Sequence, residues 1–234
     1  MSLKRSLAAV EHLTIEARFN GPDGSANGGY TCGRIAALLD GHAEVTLRSR
    51  PPLERPLAVE HTRGGLRVLD GDNLVAEAAP ASVELELPPA PSWAEANAAS
   101  AGYPGLAEHA FPRCFVCGPE REPGDGLRVF AGPLGDGRFA ATWIPSEVSP
   151  ELVWAALDCP GAIAVGLPDR GERLLGRFAV EVGELPKPGE RCVVLAWPLG
   201  EDGRKLYAGT ALYREDGRPL ARARATWIAP SAAA

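Results

Sequence analysis

Residues 149–161, SPELVWAALDCPG, combine a strong helix start with a carboxylate inside an apolar segment. Ser149 can cap the helix, and Pro150 fits the first helical position, where no backbone N–H is needed. The apolar residues that follow predict a buried helix wall, and Asp158 lies on it. Because Pro160 lacks an N–H, we expect the helix to kink or end just after the carboxylate. Asp158 then either caps a neighbouring group or reaches solvent, or it is catalytic.

A second helix is predicted within residues 25–40, which begin SANGGY, run into TCGRIAALLD and are closed by Gly41. Gly28, Gly29 and Gly33 each weaken a helix by up to about 1 kcal/mol relative to Ala. We therefore expect another group to approach the backbone closely at these glycines. The alternative is a simple turn with a glycine-rich helix entry.

Alternating apolar and polar residues predict antiparallel strands around both helices. They lie at 13–19, 43–50, 57–63, 66–69, 73–87, 127–130, 138–144, 174–184, 191–197, 205–214 and 219–228. The order of strand, helix and antiparallel strands occurs twice at a spacing of about 115 residues, which indicates two copies of one α+β module. We place the first module at 1–88, a linker at 89–112 and the second module at 113–234. The linker contains a short predicted helix with Ser92 and Glu95 as its capping box.

The composition is that of an ordinary globular protein, with 234 residues, 45% apolar and 23% charged, and a net charge of −6. No cluster of Lys and Arg is interleaved with aromatic residues, so nucleic acid is not an expected partner. Neither a signal peptide nor an apolar run of about 18 residues is found, so we expect no membrane association and a cytoplasmic location. There the five cysteines are expected to be reduced thiols.

The two helix starts resemble those of the hotdog-fold acyl-CoA thioesterases. The stretch NGGYTCGRIAALL, from Asn27, resembles the N-terminal half of double-hotdog members, and CFVCGPEREPGDGL, from Cys114, followed by WAALD resembles thioesterases of the phenylacetate-pathway type. The resemblance implies a tandem hotdog, with each module a long helix wrapped by an antiparallel sheet. It also implies an acyl-CoA thioester as substrate and hydrolysis to the free acid and CoA.

In the phenylacetate-type pattern a His-Gly-Gly begins the helix and an acidic residue follows nine positions after the His. The first half keeps the glycines but has Ala36 at the acidic position, whereas the second half keeps Asp158 without the glycines. Since family members pair the helix start of one module with the carboxylate of the other, the resemblance implies one composite site and a second, degenerate one. Gly28 and Gly29 would hold the thioester carbonyl, and Asp158 would act as general base or nucleophile.

Further residues are assigned to substrate binding, beginning with Asn27 in place of the usual His. The other three are Tyr30, Arg113 and Arg128, the two arginines because they flank the CFVCG loop and CoA carries phosphates.

The pair Cys114 and Cys117 has the spacing of a zinc knuckle. His109 offers a third ligand, but a structural zinc needs four and the sequence contains no second CxxC. We therefore expect neither a metal nor another cofactor. Cys159 is read as a small buried residue, although its place beside Asp158 makes it a tempting nucleophile.

Two other functions remain open alongside hydrolysis. One is a non-catalytic acyl-CoA-binding or sensor protein of the same fold, which the missing auxiliary residues suggest. The other is a hotdog hydratase, which the sequence resembles less because it lacks the Asp/His pair of those enzymes. Hotdog modules commonly associate through their sheets, so a homodimer of the chain is expected.

Overall fold

The structure, a computed structural model, describes residues 11–166 and 173–228. Within these residues, eleven strands form one antiparallel sheet. The strands are β1 (Glu11–Leu13), β2 (Ala43–Leu47), β3 (Leu57–Thr62), β4 (Gly65–Asp70), β5 (Asn73–Pro80), β6 (Gly132–Pro133), β7 (Phe139–Trp143), β8 (Leu174–Val182), β9 (Cys192–Asp202), β10 (Lys205–Arg214) and β11 (Pro219–Ile228). The α-helices are α1 (Gly28–Ala36), α2 (Trp93–Ala101) and α3 (Pro150–Ala164).

The strand order shows that the two halves repeat one topology. The sheet runs β1-β3-β4-β5-β2-β8-β11-β10-β9-β7-β6. Apart from the two-residue β6 at the edge, each half has one strand before α1 or α3 and four strands after it, and both halves have the same spatial order of these five strands. The halves meet where β2 pairs with β8, with Val45 opposite Phe178. Both side chains are fully buried, so this junction belongs to the core.

The two faces of the second half are covered by different helices. Cys192 and Val194 of β9 belong to the main core, which also contains most of α3. The alternate residues Val193 and Leu195 belong to a smaller cluster with Ala96 of α2. Because successive side chains of a strand point to opposite faces, α3 and α2 lie on opposite sides of this part of the sheet.

Most of the predicted strands are present in the structure. Strands β10 and β11 have the predicted bounds, and β2 to β5, β7, β8 and β9 overlap their predictions. The capping box of α2 is formed, with the Ser92 hydroxyl accepting from the Glu95 N–H and the Glu95 carboxylate accepting from the Ser92 N–H. The segment 89–112 is therefore more than a linker, because it contains this helix packed on the sheet.

Two predicted strands are wrong. The strand predicted at 13–19 ends at Leu13, and Ala17–Phe19 forms a 3-10 helix instead. Leu13 pairs with Leu57, the first residue of β3, so no partner strand remains beyond it. At 127–130, Arg128 has a φ of +53°, which interrupts an extended strand.

The predicted helix start at α1 is confirmed, but the helix ends at Ala36 rather than near Gly41. The glycines of α1 allow close packing against α3. A Cβ on Gly29 would lie 2.4 Å from the Cβ of Asp158, and a Cβ on Gly33 would lie 2.7 Å from the Cα of Glu151. The close approach expected from the sequence is therefore made, at these two glycines, by α3.

Of the two outcomes predicted at Pro160, a kink or a helix end, the end is wrong, because α3 continues to Ala164. Its last turn is buried, with Ala162 and Ile163 no more than 8% exposed, so tertiary packing supports the helix past the proline. The Thr210 hydroxyl on β10 donates a hydrogen bond of 2.9 Å to the carbonyl of Leu157. In the described part of the chain, no helix is long and apolar enough to span a membrane.

Candidate functional site

Asp158 of α3 lies at the wall of a cavity of about 650 Å³ between the two halves. The carboxylate is only 2% exposed. The cavity is also lined by residues from the start of α1, from β2, from the segment 103–117 and from β8. A buried carboxylate at a cavity of this size is a candidate catalytic group.

The start of α1 holds one oxygen of this carboxylate. The Gly29 N–H donates to Asp158 Oδ2 at 2.9 Å, and Asn27 Nδ2 donates to the same oxygen at 3.0 Å. Asn27 is the N-cap of α1, where its Oδ1 accepts from the Tyr30 N–H at 2.8 Å. The cap thus fixes the amide so that its NH2 group points at Asp158. A negative charge is favoured here, at the positive end of the helix dipole.

The other carboxylate oxygen, Oδ1, has no hydrogen-bond partner among the described residues. Burial raises the pKa of Asp158 to about 7, against the lowering effect of the hydrogen bonds from Gly29 and Asn27. The negative charge of a Cys114 thiolate raises this pKa further. One oxygen is therefore fixed by the start of α1, while the other is buried without a hydrogen-bond partner among the described residues.

Three thiols lie beside the carboxylate. The sulfur atoms of Cys114, Cys117 and Cys159 are all within 4.8 Å of one another, and the sulfurs of Cys114 and Cys159 are 3.8 Å apart. Hydrogen bonds from the Cys117 and Cys159 thiols lower the pKa of Cys114. His109 Nε2 lies 3.3 Å from the Cys117 sulfur. Cys159, which was predicted to be buried, is only partly buried.

The predicted site residues of α1 have different environments. Gly28, partly exposed at the first helical position, lines the cavity together with Asn27. The N–H of Gly29 is engaged by Asp158, so it is not free for a substrate carbonyl. Tyr30 does not line the cavity; its ring is stacked on Phe19 at 3.8 Å. Tyr30 is therefore a core residue outside this cavity, and its role in substrate binding stays a prediction.

The two arginines predicted to bind substrate also lie away from this cavity. Arg113 is exposed, and its carbonyl accepts from the side chain of Arg121. Arg128 donates to the carbonyls of Pro119 and Arg121. Its guanidinium lies 4.9 Å from the centre of the Phe130 ring. The Arg128 side chain thus holds the loop, and the substrate-binding role of both arginines stays a prediction.

Other arginines line the cavity and were missed by the sequence reasoning. They come from the end of β2 and from segments next to β8 and β10, namely Arg48, Arg50, Arg173 and Arg204. No motif marks them, because they come together only when β2 pairs with β8. Cys114 and Cys117 of the thiol cluster form the CxxC motif. Cys159 is 45 residues from Cys114, and no sequence motif connects the two.

No protein-family model matches this sequence, and no curated protein is significantly similar to it. Solved structures are similar in fold. A conserved protein of hotdog fold from Alicyclobacillus acidocaldarius has a TM-score of 0.63 at 13% identity, over 95% of this chain and 93% of that one. The tesB protein of Mycobacterium avium subspecies paratuberculosis has a TM-score of 0.59 at 12% identity, over 90% and 89%. The acyl-CoA thioesterase II TesB2 of Mycobacterium marinum has a TM-score of 0.56 at 12% identity, over 89% and 93%.

These similarities extend over most of each chain and show that the protein has a hotdog fold. The hotdog fold implied by the two helix starts is thus confirmed, and the tandem arrangement with each helix wrapped by a sheet stays a prediction. At 12–13% identity the structural similarity establishes the fold alone. The chemistry is therefore argued from the residues of the site.

Proposed function

We propose that this chain is a tandem hotdog thioesterase that hydrolyses an acyl-CoA thioester to the free acid and CoA. One observation carries the proposal. The carboxylate of Asp158, on the helix of the second half, is held by the first turn of the helix of the first half, at the wall of a cavity between them. This contact supports the composite site that the split of the sequence pattern implies.

The carboxylate geometry suits general-base or nucleophilic catalysis. Oδ2 accepts hydrogen bonds from Gly29 and Asn27. These bonds fix the side chain and do not involve Oδ1. As general base, Oδ1 takes a proton from water as the water attacks the thioester carbonyl. As nucleophile, it attacks the carbonyl carbon and forms an anhydride that water then hydrolyses. In both routes the C–S bond breaks and the CoA sulfur leaves as the thiolate, which takes up a proton.

The developing oxyanion needs a hydrogen-bond donor, and we assign this role to the N–H of Gly28. It is the first residue of α1, so its N–H has no acceptor within the helix and lies at the positive end of the dipole. Gly29, which we first expected to share this role, instead positions the base, because its N–H is bound to Asp158. The two glycines therefore have separate functions in the proposed mechanism.

The basic residues of the cavity favour a substrate that carries phosphate groups. Four arginines line it, Arg48, Arg50, Arg173 and Arg204, although the chain as a whole has a net charge of −6. Guanidinium groups bind phosphate oxygens in bidentate geometry. A CoA ester, with an apolar acyl group and phosphates on its other end, fits this combination of surfaces.

Release of free CoA from short, medium, long and aromatic acyl-CoAs, followed by chromatography, tests the proposal. Asp158→Asn is the informative variant because the side-chain oxygen of Asn can still accept from Gly29 while the ionisable group is lost. We expect the rate to fall by about a hundredfold or more. Asp136→Asn makes the same change in an exposed turn outside the cavity and should keep the wild-type rate.

Two results would contradict the proposal. If the wild type releases no CoA from any ester but binds one in a calorimeter, the chain is an acyl-CoA-binding protein instead of an enzyme. If the wild type is active and Asp158→Asn retains its rate, the reaction does not use this carboxylate. The homodimer stays a prediction, which sedimentation of the full chain can test.

A further inference from the structure

The thiol cluster is built from two distant segments of the chain. Cys114 and Cys117 come from the loop before β6, and Cys159 comes from the middle of α3. All three thiols line the cavity. The two remaining cysteines, Cys32 and Cys192, lie elsewhere in the core and provide an internal comparison.

The distances within the cluster are those of ligands around one metal ion. Zn–S bonds of about 2.3 Å at the tetrahedral angle place two sulfur atoms about 3.8 Å apart. The sulfurs of Cys114 and Cys159 are separated by 3.8 Å, and Cys117 completes a set within 4.8 Å. A disulfide has an S–S distance of about 2.05 Å, so the thiols are free. Three soft sulfur donors favour Zn²⁺ over the hard cations Mg²⁺ and Ca²⁺.

Hydrogen-bond donors surround the sulfurs as they do around metal-bound thiolates. The backbone N–H groups of Val116 and Cys117 lower the pKa of the Cys114 thiol. The Gly118 N–H closes a tight turn by donating to the Cys114 carbonyl at 2.9 Å. A Cβ on Gly118 would lie 2.6 Å from the backbone N and O of Cys114, so the turn requires glycine here. The N–H groups of Val116 and Cys117 stabilise negative charge on the Cys114 sulfur.

Side-chain donors reach the other two thiols. Asn27 Nδ2 lies 3.9 Å from the Cys159 sulfur. His109 accepts from the Phe111 N–H through Nδ1 at 2.8 Å, which places the proton of the neutral ring on Nε2. That N–H then donates to the Cys117 sulfur at 3.3 Å. A protonated nitrogen cannot bind metal, so His109 supports a thiolate and is not itself a ligand.

We propose that Cys114, Cys117 and Cys159 bind one Zn²⁺ ion, with the fourth coordination position left to water or to a molecule in the cavity. Three protein ligands and one open position are the pattern of zinc sites that take an exchangeable ligand. The ion would also tie the CFVCG loop to α3 and so fix one wall of the cavity. The proposal does not depend on thioester hydrolysis, because every readout below is metal binding.

Cobalt binding to the full-length chain tests the site directly. The protein is stripped with a chelator under reducing conditions and titrated with Co²⁺ in the absence of air. We expect one equivalent to produce tetrahedral d–d bands and a thiolate-to-cobalt charge-transfer band, both removed by one equivalent of Zn²⁺. Absence of these bands, or their saturation only at several equivalents, overturns the proposal.

Variants identify the ligands. Cys114→Ala, Cys117→Ala and Cys159→Ala should each weaken binding by about a hundredfold or more, whereas the buried but separate Cys192→Ala should bind as wild type. His109→Ala should keep the charge-transfer band and weaken binding by about 10- to 100-fold. Full binding by any of the three cysteine variants, or equal loss in Cys192→Ala, contradicts the assignment.

A measurement on the unmodified protein covers the case in which an alanine variant fails to fold. X-ray absorption at the zinc edge of the loaded wild type should give three sulfur neighbours at about 2.3 Å and one lighter neighbour. Two or fewer sulfur neighbours, or a lighter shell of two nitrogen or oxygen atoms, would falsify the three-thiolate site.

Discussion

Gly28 and Gly29 are adjacent in the first turn of α1, yet the structure predicts that alanine destabilises the fold at Gly29 and has little effect at Gly28. A Cβ on Gly29 would lie 2.4 Å from the Asp158 Cβ and 2.9 Å from the Trp154 carbonyl oxygen, both on α3. A Cβ on Gly28 would meet Leu175 Cδ2, the end of a flexible side chain, at 3.0 Å and Leu175 Cβ at 3.3 Å. Either substitution gains up to about 1 kcal/mol of helix propensity. The difference in stability between the two variants therefore reports the packing contact of residue 29 with α3.

The expected magnitude follows from these distances. Carbon atoms pack best about 3.5–4.0 Å apart, so Gly29→Ala must separate the helices by more than about 1 Å. Overpacking of this kind costs about 1–3 kcal/mol. The separation also breaks the 2.9 Å bond from the Gly29 N–H to Asp158, which adds the loss of a hydrogen bond to a carboxyl group. After the gain in propensity, we expect the free energy of unfolding to fall by about 2–4 kcal/mol.

Urea unfolding followed by circular dichroism measures this change, with the m-value confirming that both variants unfold in the same way. Gly28→Ala should lie within about 1 kcal/mol of wild type. Gly33→Ala separates the two contributions, because its Cβ would meet the Glu151 Cα at 2.7 Å without touching the Asp158 hydrogen bond. If Gly29→Ala and Gly28→Ala have the same unfolding midpoint, the close helix contact described above is incorrect.

Two further predictions concern hydrogen bonds elsewhere in the fold. Thr210→Val keeps the shape of the side chain but removes the donor to the Leu157 carbonyl, so the free energy of unfolding should fall by about 1–2 kcal/mol; an unchanged value would mean that this carbonyl has another partner. Ser92→Ala removes the acceptor of the Glu95 N–H at the start of α2 and should cost about 1 kcal/mol, measured by the same unfolding curves, and a neutral result would show that the capping box adds no stability.

The sequence is most informative where local signals agree. Strands β10 and β11 are bounded by turn residues and alternate in polarity, and they appear with the predicted bounds. The capping box of α2 is likewise local, since Ser92 and Glu95 are three residues apart. The contact between the start of α1 and Asp158 could be expected from the sequence only because the two helix starts each keep a different part of a known pattern.

The features that could not be predicted from the sequence depend on contacts between segments that are distant along the chain. The segment 127–130 alternates like a strand, but its backbone pairs with the CFVCG loop, where the Leu127 N–H donates to the Phe115 carbonyl and the Val129 N–H to that of Val116. Cys159 reads as a small buried residue until α3 is placed against that loop. Such contacts join positions dozens of residues apart, and no periodicity encodes them.

The repeated topology creates two equivalent places for the proposed site, but only one has the groups that the proposed mechanism requires. Nine positions after its N-cap, α3 carries Asp158, whereas α1 carries Ala36, whose methyl group cannot accept a proton. The starts of the helices differ in the opposite sense, because α1 begins with Gly28 and α3 begins with Pro150, which has no N–H to offer an oxyanion. The second place therefore lacks both the base and the donor. It follows that Asp158→Asn should leave only background hydrolysis, and a residual rate near half that of wild type would mean that catalysis also occurs at the start of α3.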